Sequence, residues 1–450
     1  MDNRSDFTRG PILSKLLRFA LPVLGAMILQ VMYGAVDLMV VGRFADAAAV
    51  SAVSTGSQLM HTITTVVTGL SMGTTVLLGR TLGEGKRERA GGIIGSAIWL
   101  FGVLGLLLTA LTVILAPQLC GLMHAPAEAF DQTVAYMRIC GAGALFIVSY
   151  NVLGSVFRGI GDSKTPLLSV IIACVANIAG DLLFVCVFRM SAAGAALATV
   201  LAQALSVVIC IAVIARRGLP FPFGRKDLRP ARGPVFSTMR LGTPIAVQDL
   251  LVSLSFMVIL AITNSLGLVA SAGVGVAEKL CGFIMLVPSA FSQSLSAFVA
   301  QNVGAGKARR ARQAMLWGMA ASFAIGVGMF YMGFFHGDAM CALFAGDPQV
   351  IAAGWQYLKS YAIDTLMTAF LFCFIGYFNG CGETAFVMVQ GLIGAFFVRI
   401  PVSFLMSRIE PVSLFRIGLA TPSSTLVQIV LCAGFLVWQM RKERAKKTIG

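Results

Sequence analysis

Residues 164–189 read KTPLLSVIIACVANIAGDLLFVCVFR, an apolar run bounded by Lys164 and Arg189 with Asp181 as its only acidic residue. About 20 apolar residues suffice for an α-helix to cross the hydrocarbon core of a bilayer. The run exceeds that length. It predicts a membrane-spanning helix that carries a carboxylate, a group the membrane interior makes costly to keep.

The rest of the chain has the same character. Of 450 residues, 58% are hydrophobic and only 12% charged, and the mean hydropathy is +0.87. Soluble domains run near a quarter charged, so a soluble multidomain enzyme is excluded and a polytopic membrane protein is indicated. Breaks at charges and at Pro or Gly divide the chain into twelve predicted spans: 15–42, 48–80, 92–116, 130–159, 164–189, 193–216, 236–265, 272–302, 313–335, 349–380, 385–407 and 415–440. The first apolar run is too long for the core of a cleavable signal peptide.

The net charge of +15 would suit a nucleic-acid binder if the basic residues formed one patch. They do not. With the N-terminus placed inside, 26 of the 34 Lys and Arg fall in inner segments and four (Arg43, Arg189, Arg408, Arg416) in outer loops. Arg138, Lys279, Lys359 and Arg399 lie in or near spans. This asymmetry predicts cytoplasmic termini, with the lipid bilayer and not nucleic acid as the partner; the expected location is the plasma (inner) membrane. The ten cysteines form no C-x-x-C or Cys/His cluster, so no metal site or disulfide framework is expected. His61, His124 and His336 are isolated. Gly83-Glu84-Gly85-Lys86-Arg87 lacks the earlier glycine and the hydroxyl residue of a phosphate-binding loop. No cofactor is expected, and ATP-driven transport would need a partner subunit.

An internal repeat appears at an offset of about 221. Leu17-Arg18-Phe19-Ala20-Leu21-Pro22 matches Met239-Arg240-Leu241-Gly242-Thr243-Pro244, and Gly83-Glu84-Gly85-Lys86 matches Gly304-Ala305-Gly306-Lys307. Phe157-Arg158-Gly159-Ile160-Gly161-Asp162 matches Phe378-Asn379-Gly380-Cys381-Gly382-Glu383. Six spans per half return the chain to its starting side, which predicts two six-helix lobes related by a pseudo-twofold axis along the membrane normal. The expected divisions are 1–216 (N-lobe), 217–235 (a Pro- and Arg-rich cytoplasmic linker), 236–440 (C-lobe) and 441–450 (a basic tail).

Five carboxylates fall well inside spans: Asp37, Asp181, Asp249, Glu278 and Asp364. Glu278, beside Lys279 near the start of its span, reads as a paired carboxylate at a span edge, whereas Asp249 and Asp364 are open to either a packing or a functional role. Asn177 and Asp181, at i and i+4, share one helix face. Asn151 and Thr199 on neighbouring helices would add neutral oxygens, and Asp37 a second carboxylate. Two carboxylates with amide and hydroxyl oxygens suit a proton or a hard cation such as Na+. Pro22, fifteen residues before Asp37, removes a backbone hydrogen bond from its helix. It is either a static kink or a hinge.

On Leu21-Pro22, Val36-Asp37 with Val41-Gly42-Arg43, residues 157–166, Asn177 with Asp181, residues 194–199 and Gly418-Leu419-Ala420-Thr421-Pro422, the chain resembles the multidrug and toxic compound extrusion (MATE) family, prokaryotic branch. The resemblance covers residues 11–440. It implies a monomeric secondary antiporter that exports amphipathic or cationic organic compounds in exchange for H+ or Na+ by alternating access. It also implies a cation-coupling site at Asp37, Asn151, Asn177, Asp181 and Thr199, a Na+ being held at Asp37, Asn177 and Asp181, with a bend at Pro22. Some members carry a Glu in the seventh helix where this chain has Val252-Ser253, with Asp249 earlier. The alternative reading is a flippase for lipid-linked saccharides, whose polyanionic headgroup would prefer interior Arg or Lys.

Overall fold

The structure is a computed structural model that describes residues 6–449, with side chains of residues 6–445. Eleven helices among the described residues are long and apolar enough to cross a membrane. They are Ile12–Phe44, Ala47–Gly83, Arg87–Ile114, Lys164–Val187, Ser191–Arg217, Arg232–Asn264, Leu268–Gly304, Ala308–Phe335, Pro348–Cys381, Thr384–Ser407 and Leu414–Ala445. A twelfth span, fourth in chain order, is the pair Ala127–Ala142 and Ala144–Ile160, bent by 49° at Gly143. A Cβ at Gly143 would lie 2.5 Å from the Val200 methyls, so the close approach of the sixth span requires glycine there. The chain is thus an all-α, multi-pass membrane protein with twelve spans. The helix of the last span continues to Ile449.

Matching positions of the two halves adopt the same backbone. Gly85 and Gly306 have φ of 75° and 71°, and Gly161 and Gly382 both have φ of 86°. These left-handed turns admit glycine without steric cost. Short helices Ala116–Leu122 and Gly337–Ala342 follow the third and ninth spans at the same offset. Seven residues are too few to be seen as an element in an apolar sequence.

The chain divides into two compact units, Met1–Ala246 with Ala300–Lys307, and Val247–Val299 with Ala308–Gly450. The seam therefore runs inside the seventh and eighth spans and not in the 217–235 segment. Close packing accounts for it. A Cβ at Gly69 would sit 2.7 Å from Ala246 Cα, and one at Gly73 would sit 2.3 Å from the Thr238 carbonyl oxygen. The first half of the seventh span is so held by the second. The segment after Gly224 packs as closely, since a Cβ at Gly95 would meet the Asp227 carbonyl oxygen, and Trp99 Nε1 donates to Leu228 O at 2.7 Å.

In the first unit the ends of the second and eighth spans cross reciprocally. A Cβ at Gly83 would lie 2.0 Å from Gln301 O, and one at Gly304 would lie 2.1 Å from Arg80 O. Over this crossing runs a strap formed by residues 6–10. Phe7 is 1% exposed and stacks edge-on against Phe19 with centroids 5.0 Å apart. Its N–H donates to Gln301 Oε1 (3.3 Å), and its carbonyl accepts from Asn302 Nδ2 (3.2 Å). Lys307 Nζ donates to Thr8 O at 2.9 Å, and Lys15 Nζ donates to Asp6 O. Burial pushes the Asp6 carboxyl up, but bonds from the Thr8 hydroxyl and N–H, with Lys15 and Arg9 nearby, outweigh it and hold it below its ordinary range.

Candidate functional site

The first span supplies Asp37 from within a helix that is continuous from Ile12 to Phe44, with Pro22 inside it. Val40 and Val41, one turn on, are buried in an apolar cluster with Val53, Tyr136 and Val185, which fixes the rotation that turns Asp37 inward. Asp37 is 4% exposed, and Asn177 and Asp181 are fully buried. Asp181 closes the regular part of the fifth span, and the next residues, Leu182–Val187, form a π-helical turn. Such wide turns are frequent at functional sites. Here the turn lets Gly194 approach Phe184 closely, with a Cβ at Gly194 lying 3.1 Å from Phe184.

Around Asp37 the structure brings together Asp181, Asn177 and Thr199. Thr199 Oγ1 donates to Asp37 Oδ2 at 3.0 Å. The second oxygen of Asp37, both oxygens of Asp181 and both polar atoms of Asn177 have no hydrogen-bond partner. Buried polar groups are nearly always paired. Two carboxylates cannot satisfy each other while both are ionised. A proton shared between them would satisfy one oxygen of each carboxyl, and a small hard cation could be held by Asp, Asn and Thr oxygens together. Among the described residues no group of three or more His, Cys, Asp or Glu could hold a metal ion.

Asn151 is engaged elsewhere. Its Oδ1 accepts from Thr68 Oγ1 at 2.8 Å, and its Nδ2 donates to Ile147 O at 2.9 Å. Two residues absent from the sequence reading border the carboxylates. Tyr33, one turn before Asp37, lies within reach of its charge and accepts from Gln203 Nε2 at 2.8 Å, while Gln203 itself stands one turn after Thr199. The i, i+4 spacing from Asp37 and Thr199 was the available signal.

In the second unit, Asp364 is 1% exposed and lies beside Thr425. Asp249 is half-buried in the seventh span. Glu278 differs from expectation. It stands ten residues into its span, its Oε1 is buried without a partner, and Lys279 is exposed and forms no ion pair with it. Adjacent helix positions point about 100° apart, so Glu278 faces inward while Lys279 faces out. Arg399, read from sequence only as a basic residue near a span, is 5% exposed.

The sequence profile of the MatE family matches residues 22–183 and again residues 244–405, so each half of the chain carries one copy. Among similar proteins, the probable multidrug resistance protein YpnP of Bacillus subtilis (strain 168) is 28% identical over 443 residues, covering 98% of both chains. A FAD transporter of Shewanella oneidensis is 26% identical over 369 residues, covering 81% of this chain and 80% of its own. The crystal structure of MATE in the straight conformation superposes with a TM-score of 0.91 at 20% identity, covering 99% of this chain and 100% of that one. With twelve spans, a doubled profile match and that shared fold, the chain belongs to the MatE family of membrane transporters.

Proposed function

We propose that the protein is a secondary active multidrug exporter that exchanges amphipathic or cationic organic compounds for H+ or Na+. The observation that carries this reading is the buried Asp37–Asp181 pair with its unpartnered oxygens. Loading a cation there removes the repulsion between the carboxylates, and unloading it restores the repulsion. The coupling set is Asp37, Asp181, Asn177 and Thr199, and Asn151 braces the fourth span against the second through Thr68. Pro22 leaves one backbone carbonyl of the first span free of its helical partner, which makes that span the natural place for the conformational response. The two repeats form an N-lobe and a C-lobe, the working unit is a monomer in the plasma membrane with cytoplasmic termini, and no cofactor is needed. The relatives named for multidrug resistance support export of organic compounds.

The energetics set the coupling. Each positive charge moving inward gains about 2.3 kcal/mol per 100 mV, and a tenfold ion gradient adds about 1.4 kcal/mol. One ion exchanged for a neutral compound therefore sustains a few hundredfold accumulation. For a monovalent cationic compound the electrical contributions cancel, leaving about tenfold. The test is efflux in proteoliposomes under imposed pH or Na+ gradients. Gradient-driven flux is expected in the native protein and absent in Asp37→Asn and Asp181→Asn; undiminished flux in both variants would remove the pair from the mechanism.

A further inference from the structure

The two repeats finish their matching helix ends in different ways. At the end of the second span the side chains satisfy one another. Arg80 Nε lies 3.4 Å from one Glu84 carboxylate oxygen and Lys86 Nζ lies 2.7 Å from the other. The Thr81 hydroxyl donates to Leu77 O within its own helix. The offset of the repeat puts Gln301, Asn302, Ala305 and Lys307 in the places of Arg80, Thr81, Glu84 and Lys86. Ala305 offers Lys307 no carboxylate, and Lys307 Nζ donates to the Thr8 carbonyl instead. Gln301 and Asn302 are buried and turn their amides to the N–H and carbonyl of Phe7. An amide side chain carries both a donor and an acceptor. Gln301 uses both, because its Nε2 also donates to Gly159 O of the fourth span at 3.0 Å. The residues that distinguish the eighth span's end from its repeat are therefore the ones that hold the strap.

The other side of the strap meets the first span. The Phe7 ring packs on Phe19, three residues before Pro22, and Gly10, with φ of 76°, makes the turn from strap to helix. The grip is thus concentrated in one ring and three hydrogen bonds to the eighth span. We propose that residues 6–10 are a latch. Seated, the strap holds the end of the eighth span, crossed over the second, against the first span, and it must unseat before the crossed ends can part. A bend at Pro22 moves Phe19 and so loosens the strap, which links the first span to opening on the strap's side of the membrane. This place in the cycle rests on the antiport reading above, whereas the clamp itself rests on the contacts of the first unit.

Hydrogen exchange of the full chain in lipid nanodiscs tests the clamp without reference to transport. Phe7→Ala should speed exchange about tenfold or more in the strap and, together with it, at residues 80–85 and 301–306. Lys307→Gln should act in the same direction, while Lys86→Gln, its match in the first repeat, should leave the strap protected. Faster exchange confined to the strap would make it a passenger and overturn the proposal, as would equal effects of the two lysine variants on the strap. Lys307→Gln keeps the test open if Phe7→Ala does not assemble. The second measurement ties the strap down. Thr8→Cys with Lys307→Cys, joined by a short cleavable thiol crosslinker, should lose gradient-driven efflux in proteoliposomes by about tenfold or more and regain it on cleavage. Native protein treated alike controls for its own cysteines, and full efflux with the strap tied overturns the latch. Native protein without gradient-driven efflux would sink the antiport reading, while the exchange measurement would still decide whether the strap holds the helix ends.

Discussion

Replacing Asp37 by Asn removes a charge but keeps an oxygen able to accept the Thr199 hydroxyl. Because an unpaired buried charge is destabilising, Asp37→Asn should melt in detergent at or above the native temperature while gradient-driven efflux is lost. A large fall in melting temperature would mean that the carboxylate is held for packing. Asn151 should behave in the opposite way. Asn151→Ala removes its bond with Thr68 and should cost about 1–2 kcal/mol of stability, with ion affinity changed by less than about twofold; a tenfold loss of ion affinity, read by ion-dependent protection from unfolding, would return Asn151 to the coupling set. At this scale, spacing was informative for Asn177 and Asp181, which share a helix face as their i, i+4 separation requires. It was uninformative for Arg399, because one Arg in an apolar run looks the same whether it reaches to the membrane surface or turns inward. The π-helical turn that ends at Arg399 leaves no mark in composition.

The reciprocal crossing at Gly83 and Gly304 gives a contrast between two kinds of glycine. Gly83→Val places a side chain where the carbonyl of Gln301 already lies, so it should fail to assemble or lose several kcal/mol of stability. Gly85→Ala meets nothing within 4 Å and suffers only from its positive φ, a cost of about 1–2 kcal/mol. Comparable melting temperatures for the two would contradict the close approach of these helix ends. The strap adds a third case. Phe7→Ala should cost about 3–5 kcal/mol by loss of a buried ring, measured by thermal unfolding. Because the Asp6 carboxyl is held below its ordinary range, its contribution is complete above that range and fades only as pH falls through the lowered value. The strap should therefore resist proteolysis equally at pH 5 and pH 8. The twelve spans were legible because length and apolar content alone decide them. The 49° bend in the fourth span was not, since it depends on what Gly143 meets in three dimensions.

For the molecule as a whole, the antiport arithmetic separates substrates by charge. With one ion per cycle, collapsing a potential of 100 mV should cut accumulation of a neutral compound by about 40-fold and leave that of a monovalent cation unchanged. Equal responses would require a different charge balance. The doubled architecture was readable because glycines were kept at matching left-handed turns, Gly85 with Gly306 and Gly161 with Gly382. The division into compact units was not, because tight backbone approaches draw half of the seventh span and the end of the eighth into the first unit. The strap has a consequence for biosynthesis. Phe7 is made long before the amide groups that bind it, on Gln301 and Asn302, which are 294 and 295 positions later in the chain. During synthesis the strap has nowhere to dock until the eighth helix has left the ribosome and entered the bilayer. Its seating is therefore a late event, and protection of Phe7 from protease in a nascent chain would report that the second repeat had begun to assemble.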